Sequence, residues 1–244
     1  MGRDADHMTQ TLEIPASAPA RRRRRAPWWL IPFTLVWLAI LAYMLSAYLP
    51  PEMRASRVNV HGDMLHYVLL VGHIFTAGVA TLTGFAQFVP WVRRKHPKVH
   101  RWLGRVYFFG GVFPSMVLAV PVALWAAFGY TNMAGLLATD AMWAFTAIAG
   151  YRAVRQRRYA EHRVWMIRNF AVTLASLASR PWQIICAMFI FSQLDGPMYH
   201  GDTTAAVTDL AGVSLWLALA VNILVAEIYV QRRYGVRAVR RRAT

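Results

Sequence analysis

Three ionisable side chains lie inside apolar stretches of this sequence, where a charge is costly: His73, Asp140 and Arg180. Each stretch is long enough for a membrane-spanning helix. At 1.5 Å per residue, they lie about 14, 11 and 17 Å from the outer ends of those helices. We therefore predict a buried polar cluster of the three in the outer half of a bundle, since intramembrane charges usually mark a ligand or proton site. The alternative is a structural ion pair of Asp140 with Arg180, beside a satisfied core histidine at position 73.

A second group of polar residues falls where the predicted helices reach the cytoplasmic side. The group comprises Gln87, His100, Arg105, His162, Arg168 and Asn169. Imidazole, amide and guanidinium groups together could bind a heme, a quinone head or an anion. Interfacial side chains that extend to lipid headgroups would explain the same pattern.

Heme b would impose a stricter requirement, because it usually takes two axial imidazoles from different helices at one depth. His100 and His162 are the plausible interhelical pair, so they are the expected iron ligands if heme is present. His73 could serve as a single axial ligand. The predicted cofactor-binding set is His73, Gln87, His100, His162 and Asn169.

Two predicted helices carry faces that a ligand could use. The fifth has a polar stripe at steps of three and four residues: His162, Met166, Asn169, Thr173, Ser176 and Arg180. Polar groups are costly in lipid, so this face must point inward. The second has histidines, small residues and a glutamine on one face: His66, His73, Ala77, Ala80, Gly84 and Gln87. Small residues permit close helix packing, or leave room for a flat cofactor.

Composition indicates a polytopic membrane protein. Of the 244 residues, 57% are hydrophobic and 16% are charged, and the net charge of +16 falls in basic clusters beside apolar runs. The positive-inside rule explains these clusters better than nucleic-acid binding does, so we expect contacts with anionic lipids and no nucleic-acid partner. The one cysteine, Cys186, leaves no partner for a disulfide within this chain.

The predicted fold is all-α, with six transmembrane helices. Their ranges are 28–49, 64–89, 102–128, 133–154, 163–191 and 206–230. They make a domain at 27–231 with a four-helix core, helices two to five, at 64–191. A disordered basic tail at 1–26 and a basic tail at 232–244 complete the chain. The basic clusters then share one side, which puts both termini in the cytoplasm of a bacterial inner membrane.

Three classes of function remain open. The first is a membrane redox or cofactor-binding protein that holds heme b or a quinone and meets a redox partner in the membrane. The second is a small-solute or proton-coupled transporter, and the third is a non-enzymatic assembly or scaffold protein. No P-loop, dinucleotide fingerprint, H-E-x-x-H motif or nucleophile elbow occurs, so no catalytic residue is assigned. The oligomeric state is not indicated.

Two paired motifs carry a family resemblance. HPKVHRWLGRVY at 96–107 and HRVWMIRNFA at 162–171, with Arg180 downstream, resemble a bacterial family of predicted membrane proteins classed as domain of unknown function 2306. The resemblance covers about 73–180 and implies that helices two to five are the unit, with helices one and six peripheral. It implies no activity.

A looser resemblance is to two-heme membrane cytochromes b, including the ascorbate-reducing and ferric-reductase types. It rests on HRWLGR at 100–105. This resemblance implies a four-helix core with histidines on facing helices. The chain departs from that pattern in helix four, which has Asp140 and no histidine.

Overall fold

The computed structural model describes residues 30–60, 62–125 and 128–235, and this part of the chain is helical with no β-strand. Its α-helices are α1 Leu30–Ser46, α2 Met64–Phe88, α3 Pro90–Lys95, α4 Pro97–Arg105, α5 Phe113–Leu124, α6 Gly129–Arg155, α7 Tyr159–Thr173, α8 Ala175–Ile190 and α9 Thr203–Val230. The predicted tail at 1–26 lies outside the described residues, as does the second tail beyond residue 235.

Four helical stretches are long and apolar enough to cross a membrane. They are Met64–Phe88, Pro97–Leu124, Gly129–Arg155 and Thr203–Tyr234. A fifth span results if α7 and α8, which meet at a bend of 45°, are taken together. The apolar helix α1 has 17 residues, fewer than the about 20 that a straight span requires. The described chain therefore has four candidate spans, or five with the bent pair, where the sequence predicts six.

Residues 90–101 lie between two predicted transmembrane helices, where the sequence predicts a basic loop, and the structure corrects most of this segment to helix. Pro90 starts α3 and Pro97 starts α4, with a break at His96 between them. Proline is tolerated in the first turn of a helix because its missing N–H would have no intrahelical partner there. The third span consequently begins at Pro97, several residues before the predicted start.

A π-helical segment, Val106–Val112, joins α4 to α5. Within it, Gly111 crosses α2 so closely that an added Cβ would lie 2.8 Å from backbone atoms of Ala80. A little further along α2, Gly84 faces the ring of Phe170. Ala80 and Gly84 on α2 therefore serve close packing, one of the two roles that the sequence predicts for the small residues on that face.

The predicted fifth helix is not continuous, which corrects the single span expected at 163–191. α7 ends at Thr173 and α8 begins at Ala175. The hydroxyl of Thr173 donates a hydrogen bond of 2.9 Å to the carbonyl of Asn169, four residues earlier. Thr146 makes the same bond inside the continuous helix α6, so this bond does not by itself explain the bend. The polar stripe runs along two helices that differ in direction.

The last helix, α9, belongs to the core, and its expected peripheral position was wrong. Leu219 packs in the main apolar core with Tyr107, Trp143 and Val172. Asn222 on the same helix donates a hydrogen bond of 3.0 Å to the carbonyl of Ala171. The four-helix core at 64–191 must be extended by α9, because α9 packs against α6, α7 and α8.

Candidate ligand-binding cavity

A cavity of about 750 Å³ lies inside the bundle. Its wall includes residues from α1, α2, α5, α6, α7, α8 and α9. On α2 the wall extends from Leu70 to Thr81, which is about 17 Å of helix. The cavity therefore reaches from the end of the bundle that carries the loop 47–63, called here the loop end, to the middle of the helices. The opposite end, which carries α3, is called the basic end.

His73, Asp140 and Arg180 all line this cavity. Asp140 and Arg180 do not form a salt bridge within 4.0 Å, because the ion pairs of the described residues are Arg158–Glu161 and Arg168–Glu227. Oδ1 of Asp140 and Nε of Arg180 are buried without a hydrogen-bond partner in the part of the chain that the structure describes. The three residues thus lie around one space, and the acid and the base do not satisfy each other.

His73 is held by Ser115 of α5. Its Nδ1 lies 3.1 Å from the Ser115 carbonyl oxygen and 3.0 Å from Oγ, and Oγ donates to the His73 carbonyl at 3.2 Å. Because the serine hydrogen is used in that bond and a carbonyl can only accept, we assign a proton to Nδ1. Nε2 of the neutral ring is then an acceptor available to a ligand.

Two arginines stand at the loop end of the cavity. Arg180 donates from Nη1 to Oε1 of Gln183 at 3.0 Å. Arg57, which the sequence reasoning did not select, also lines the cavity. Its guanidinium lies 3.9 Å from the centroid of the Tyr43 ring, and Nη2 donates to the Tyr43 carbonyl at 3.1 Å. The sequence could have indicated Arg57 because the loops on the predicted outer side contain only two arginines, of which Arg57 is one.

The inner end of the cavity is closed by a hydrogen-bonded network. Trp143 and Thr173 line the cavity, and Nε1 of Trp143 donates to Oγ1 of Thr173 at 2.8 Å. The Tyr107 hydroxyl donates to Oδ1 of Asn169 and lies 3.0 Å from the Thr173 hydroxyl. Nδ2 of Asn169 donates to the Trp143 carbonyl at 3.1 Å and to Oγ1 of Thr146 at 2.9 Å.

Asn169 is therefore a core residue in this structure. Its exposed fraction is 0%, and both ends of its amide are engaged by protein groups. The sequence placed Asn169 with the cofactor-binding group, but the structure places it in the network below the cavity. The reason is that Asn169 lies at the level of the π-helical segment, where its side chain contacts Tyr107.

Gln87, His100 and His162 are brought together at the basic end. Nε2 of Gln87 donates to the His100 carbonyl at 2.8 Å. Nδ1 of His162 lies 2.9 Å from the Gly150 carbonyl, to which it can only donate. The rings of His100 and His162 are close enough for their charges to interact. Nδ1 of His100 is buried with no hydrogen-bond partner among the described residues.

The arginines of the predicted cytoplasmic-end group are dispersed. Arg168 donates from Nε and Nη2 to Glu227 of α9 at 3.0 and 2.8 Å and lies over the Trp165 ring. Arg105 is exposed on the surface of the bundle. On α3, burial and the neighbouring Arg163 guanidinium lower the pKa of Arg93. Arg168 thus has a structural partner, whereas Arg93 has a positively charged neighbour.

No group of three or more His, Cys, Asp or Glu side chains in the described ranges is arranged to hold a metal ion.

Comparisons with known proteins identify a family and no characterised relative. The profile of the family described as "Predicted membrane protein (DUF2306)" matches residues 70–230. This range includes α9, in agreement with its place in the core. No curated protein matches the chain, and no solved structure matches it.

Proposed function

Because the chain belongs to the family of predicted membrane proteins DUF2306, which has no assigned activity, we propose a function from its cavity. The protein binds a small amphipathic organic molecule inside its membrane-spanning bundle. Polar groups of that molecule meet His73 and Arg180 in the cavity that Asp140 also lines, and its apolar body lies along Ala77 and Gly78 of α2.

The observation that carries this proposal is a large cavity with polar atoms that no protein group satisfies. Buried polar groups are nearly always hydrogen-bonded, and an unpaired charged group in a low-dielectric interior costs several kcal/mol, roughly. Asp140 and Arg180 nevertheless leave atoms unpaired in the same space. Mostly apolar cavities with a few convergent polar groups are the common form of small-molecule sites. A bundle that served only as a scaffold would have no use for this arrangement.

Transport of the bound molecule across the membrane is one role that a specific feature of the structure supports. The break between α7 and α8 lies beside the cavity, and Thr173 and Ser176 on either side of it line the wall. Discontinuous helices at mid-depth are typical of transporter binding sites, because their ends can move independently. A transporter would use the bend to open the cavity alternately to the two sides of the membrane.

A redox role is the second candidate, and the histidines favour it. His73 and His162 each direct Nδ1 to a backbone carbonyl, the arrangement that fixes the ring of a ligating histidine. This orientation supports the hypothesis that His100 and His162, or His73 alone, would hold a heme b. A bound heme would supply one-electron transfer, and a quinone in the cavity would find its hydrogen-bonding groups in His73 and Arg180.

We also propose that the complete protein crosses a bacterial inner membrane six times, with both termini in the cytoplasm. The described structure supports four or five of these crossings by length and composition. The supporting feature for the orientation is the asymmetry of charge. Arg93, Arg94 and Lys95 lie at the basic end, with Arg152, Arg155 and Arg163.

Filling the cavity with a larger side chain tests whether it is the binding site. Ala119 lines the cavity on α5, whereas Val117 on the same helix is 73% exposed and points away. In lipid nanodiscs, menadione and naphthoate are titrated while tryptophan fluorescence is recorded, since Trp143 lines the cavity. Ala119→Phe should weaken binding of the probes about tenfold or more, because the added ring occupies their volume, and Val117→Phe should leave binding unchanged. Equal binding to the wild type and both variants would reject the cavity as the site.

Two further measurements separate the consequences of binding. Flux of naphthoate into proteoliposomes, abolished by Ala119→Phe, would indicate a carrier. A Soret band in protein purified from cells supplied with heme, abolished by His100→Ala or His162→Ala, would indicate a cytochrome. Protein that is colourless under those conditions would reject the heme-binding role.

A further inference from the structure

Two guanidinium groups come together at the loop end of the cavity without an acidic partner. Arg57 and Arg180 both line the cavity, and they are close enough for their charges to interact. Within the described residues, neither forms a salt bridge. Asp140 is the one acidic residue among those described that line the cavity.

Both guanidiniums are held by neutral groups. Arg57 is fixed by the ring and the carbonyl of Tyr43, and Arg180 by the amide of Gln183. These contacts orient the side chains and leave their charges uncompensated. Nε of Arg180 remains buried without an acceptor in the described structure.

Two like charges at the mouth of a partly buried cavity repel each other, and the repulsion is stronger than in water because the local dielectric constant is lower. An anion placed between them reverses the sign of this interaction. Arginine is well suited to that role, because its planar fork of N–H donors matches a carboxylate or a phosphate. Asp140, which lines the same cavity, repels an anion and so favours a position of the anion beside the two arginines.

We propose, building on the ligand binding proposed above, that the bound molecule is an amphipathic anion. Its carboxylate or phosphate head lies between Arg57 and Arg180. Its apolar body extends inward past Ile74, Ala77 and Gly78 on the wall of α2. His73 faces the neck of the molecule, where Nε2 can accept a hydrogen bond from it. The site therefore selects for a negative head group, which a neutral quinone does not have.

The test compares three probes that share one ring system and differ in the head group: naphthoate, naphthyl phosphate and neutral menadione. Binding to protein in nanodiscs of neutral lipid is measured for the wild type, Arg57→Gln, Arg180→Gln and Arg180→Lys. The matched control is Arg54→Gln, which removes an exposed arginine from the same loop and does not touch the cavity.

Arg180→Gln should weaken binding of the preferred anion about tenfold to a hundredfold, as expected for a charge-assisted hydrogen bond. Arg57→Gln should weaken it by less, about threefold to tenfold, because Arg57 is exposed to water. Menadione binding should change by less than about twofold in these variants, and Arg54→Gln should match the wild type for every probe. The anion that binds more tightly identifies the head group as carboxylate or phosphate.

Arg180→Lys keeps the charge and should recover part of the affinity, which separates a lost charge from a misfolded variant. Arg57 lies at the surface, so its replacement offers a second measurement that does not depend on the core. If the anions and menadione bind the wild type and the arginine variants alike, the anion site is rejected while cavity binding stands. If no probe binds in a manner sensitive to Ala119→Phe, both proposals are rejected.

Discussion

The middle of the bundle and its loop-end half contain polar residues of similar kinds, but these residues differ in whether protein groups satisfy their hydrogen bonds. In the middle, Asn169, Tyr107 and Thr173 satisfy one another and the neighbouring backbone. In the loop-end half, Asp140 and Arg180 line one cavity and leave Oδ1 and Nε without partners in the described structure. The first region is packed, and the second encloses about 750 Å³ of space.

The difference separates two reasons for a polar group inside a membrane protein. A satisfied network fixes the positions of helices and specifies one packing arrangement. An unsatisfied pair around a cavity destabilises the empty protein and can be compensated by a ligand. Residue type alone does not distinguish these cases, because the asparagine and the aspartate both lie on predicted membrane helices. Substitutions in the two regions should therefore have different effects on stability.

The largest effect on stability should come from the central network. Asn169→Leu removes the acceptor of Tyr107 and both amide donors, and it leaves buried polar groups without partners. We expect the free energy of unfolding to fall by about 2–4 kcal/mol, measured by denaturant unfolding in detergent micelles. The matched control is Asn132→Leu, because among the described residues the side chain of Asn132 makes a single hydrogen bond, of 3.2 Å to the Ala211 carbonyl. A loss as small as in the control would show that the network is not what holds the middle together.

The close crossing of α2 with the π-helical segment should give the next effect. At Gly111 a Cβ would lie 2.8 Å from the Ala80 backbone, whereas at the adjacent Gly110 its nearest neighbour would be 3.5 Å away. Gly111→Ala must therefore separate the two helices, at a cost of about 1–3 kcal/mol. Gly110→Ala should lie within about 0.5 kcal/mol of the wild type. The same unfolding measurement compares the two, and similar values for both would contradict the geometry of the crossing.

The ion pair between Arg168 and Glu227 should contribute less than either packing feature. The side chains are 29% and 37% exposed, so water reduces the strength of their attraction. A double-mutant cycle with Arg168→Gln and Glu227→Gln should give a coupling energy of about 0.5–1 kcal/mol, which should decrease as salt is added. A coupling energy above about 2 kcal/mol would indicate that lipid or protein shields the pair more than its exposure suggests.

Much of the fold was predictable because hydrophobic length and basic flanks are local properties. The second helix was predicted at 64–89 and is observed at Met64–Phe88, with Asp63 as the side-chain cap of its first turn. The bend after Thr173 was missed because no glycine or proline marks it between Phe170 and Arg180. The core position of α9 was missed because hydrophobicity shows that a helix is apolar without showing which neighbours it contacts.

The site was predictable in part for a similar reason. Counting residues from helix ends gives depth, and depth was sufficient to indicate that His73, Asp140 and Arg180 lie around one space. It was insufficient for Asn169, because whether an amide faces a pocket or a tyrosine depends on how neighbouring helices are rotated. Arg57 lies in a loop, where no periodicity indicates the direction of a side chain. The cavity itself depends on long-range packing between helices, which no local pattern encodes.

The smallest expected change in stability is the most informative about the cavity. Asp140→Asn keeps the shape of the side chain and removes its charge, and the Oδ1 atom loses no hydrogen bond because it makes none with the described residues. The free energy of unfolding should remain unchanged or rise by up to about 1 kcal/mol. A fall of more than about 2 kcal/mol would mean that Asp140 has a structural partner, and the contrast with Asn169 would then disappear. An unchanged or higher value, beside a large loss for Asn169→Leu, would show that the buried acid is retained for a purpose other than holding the helices together.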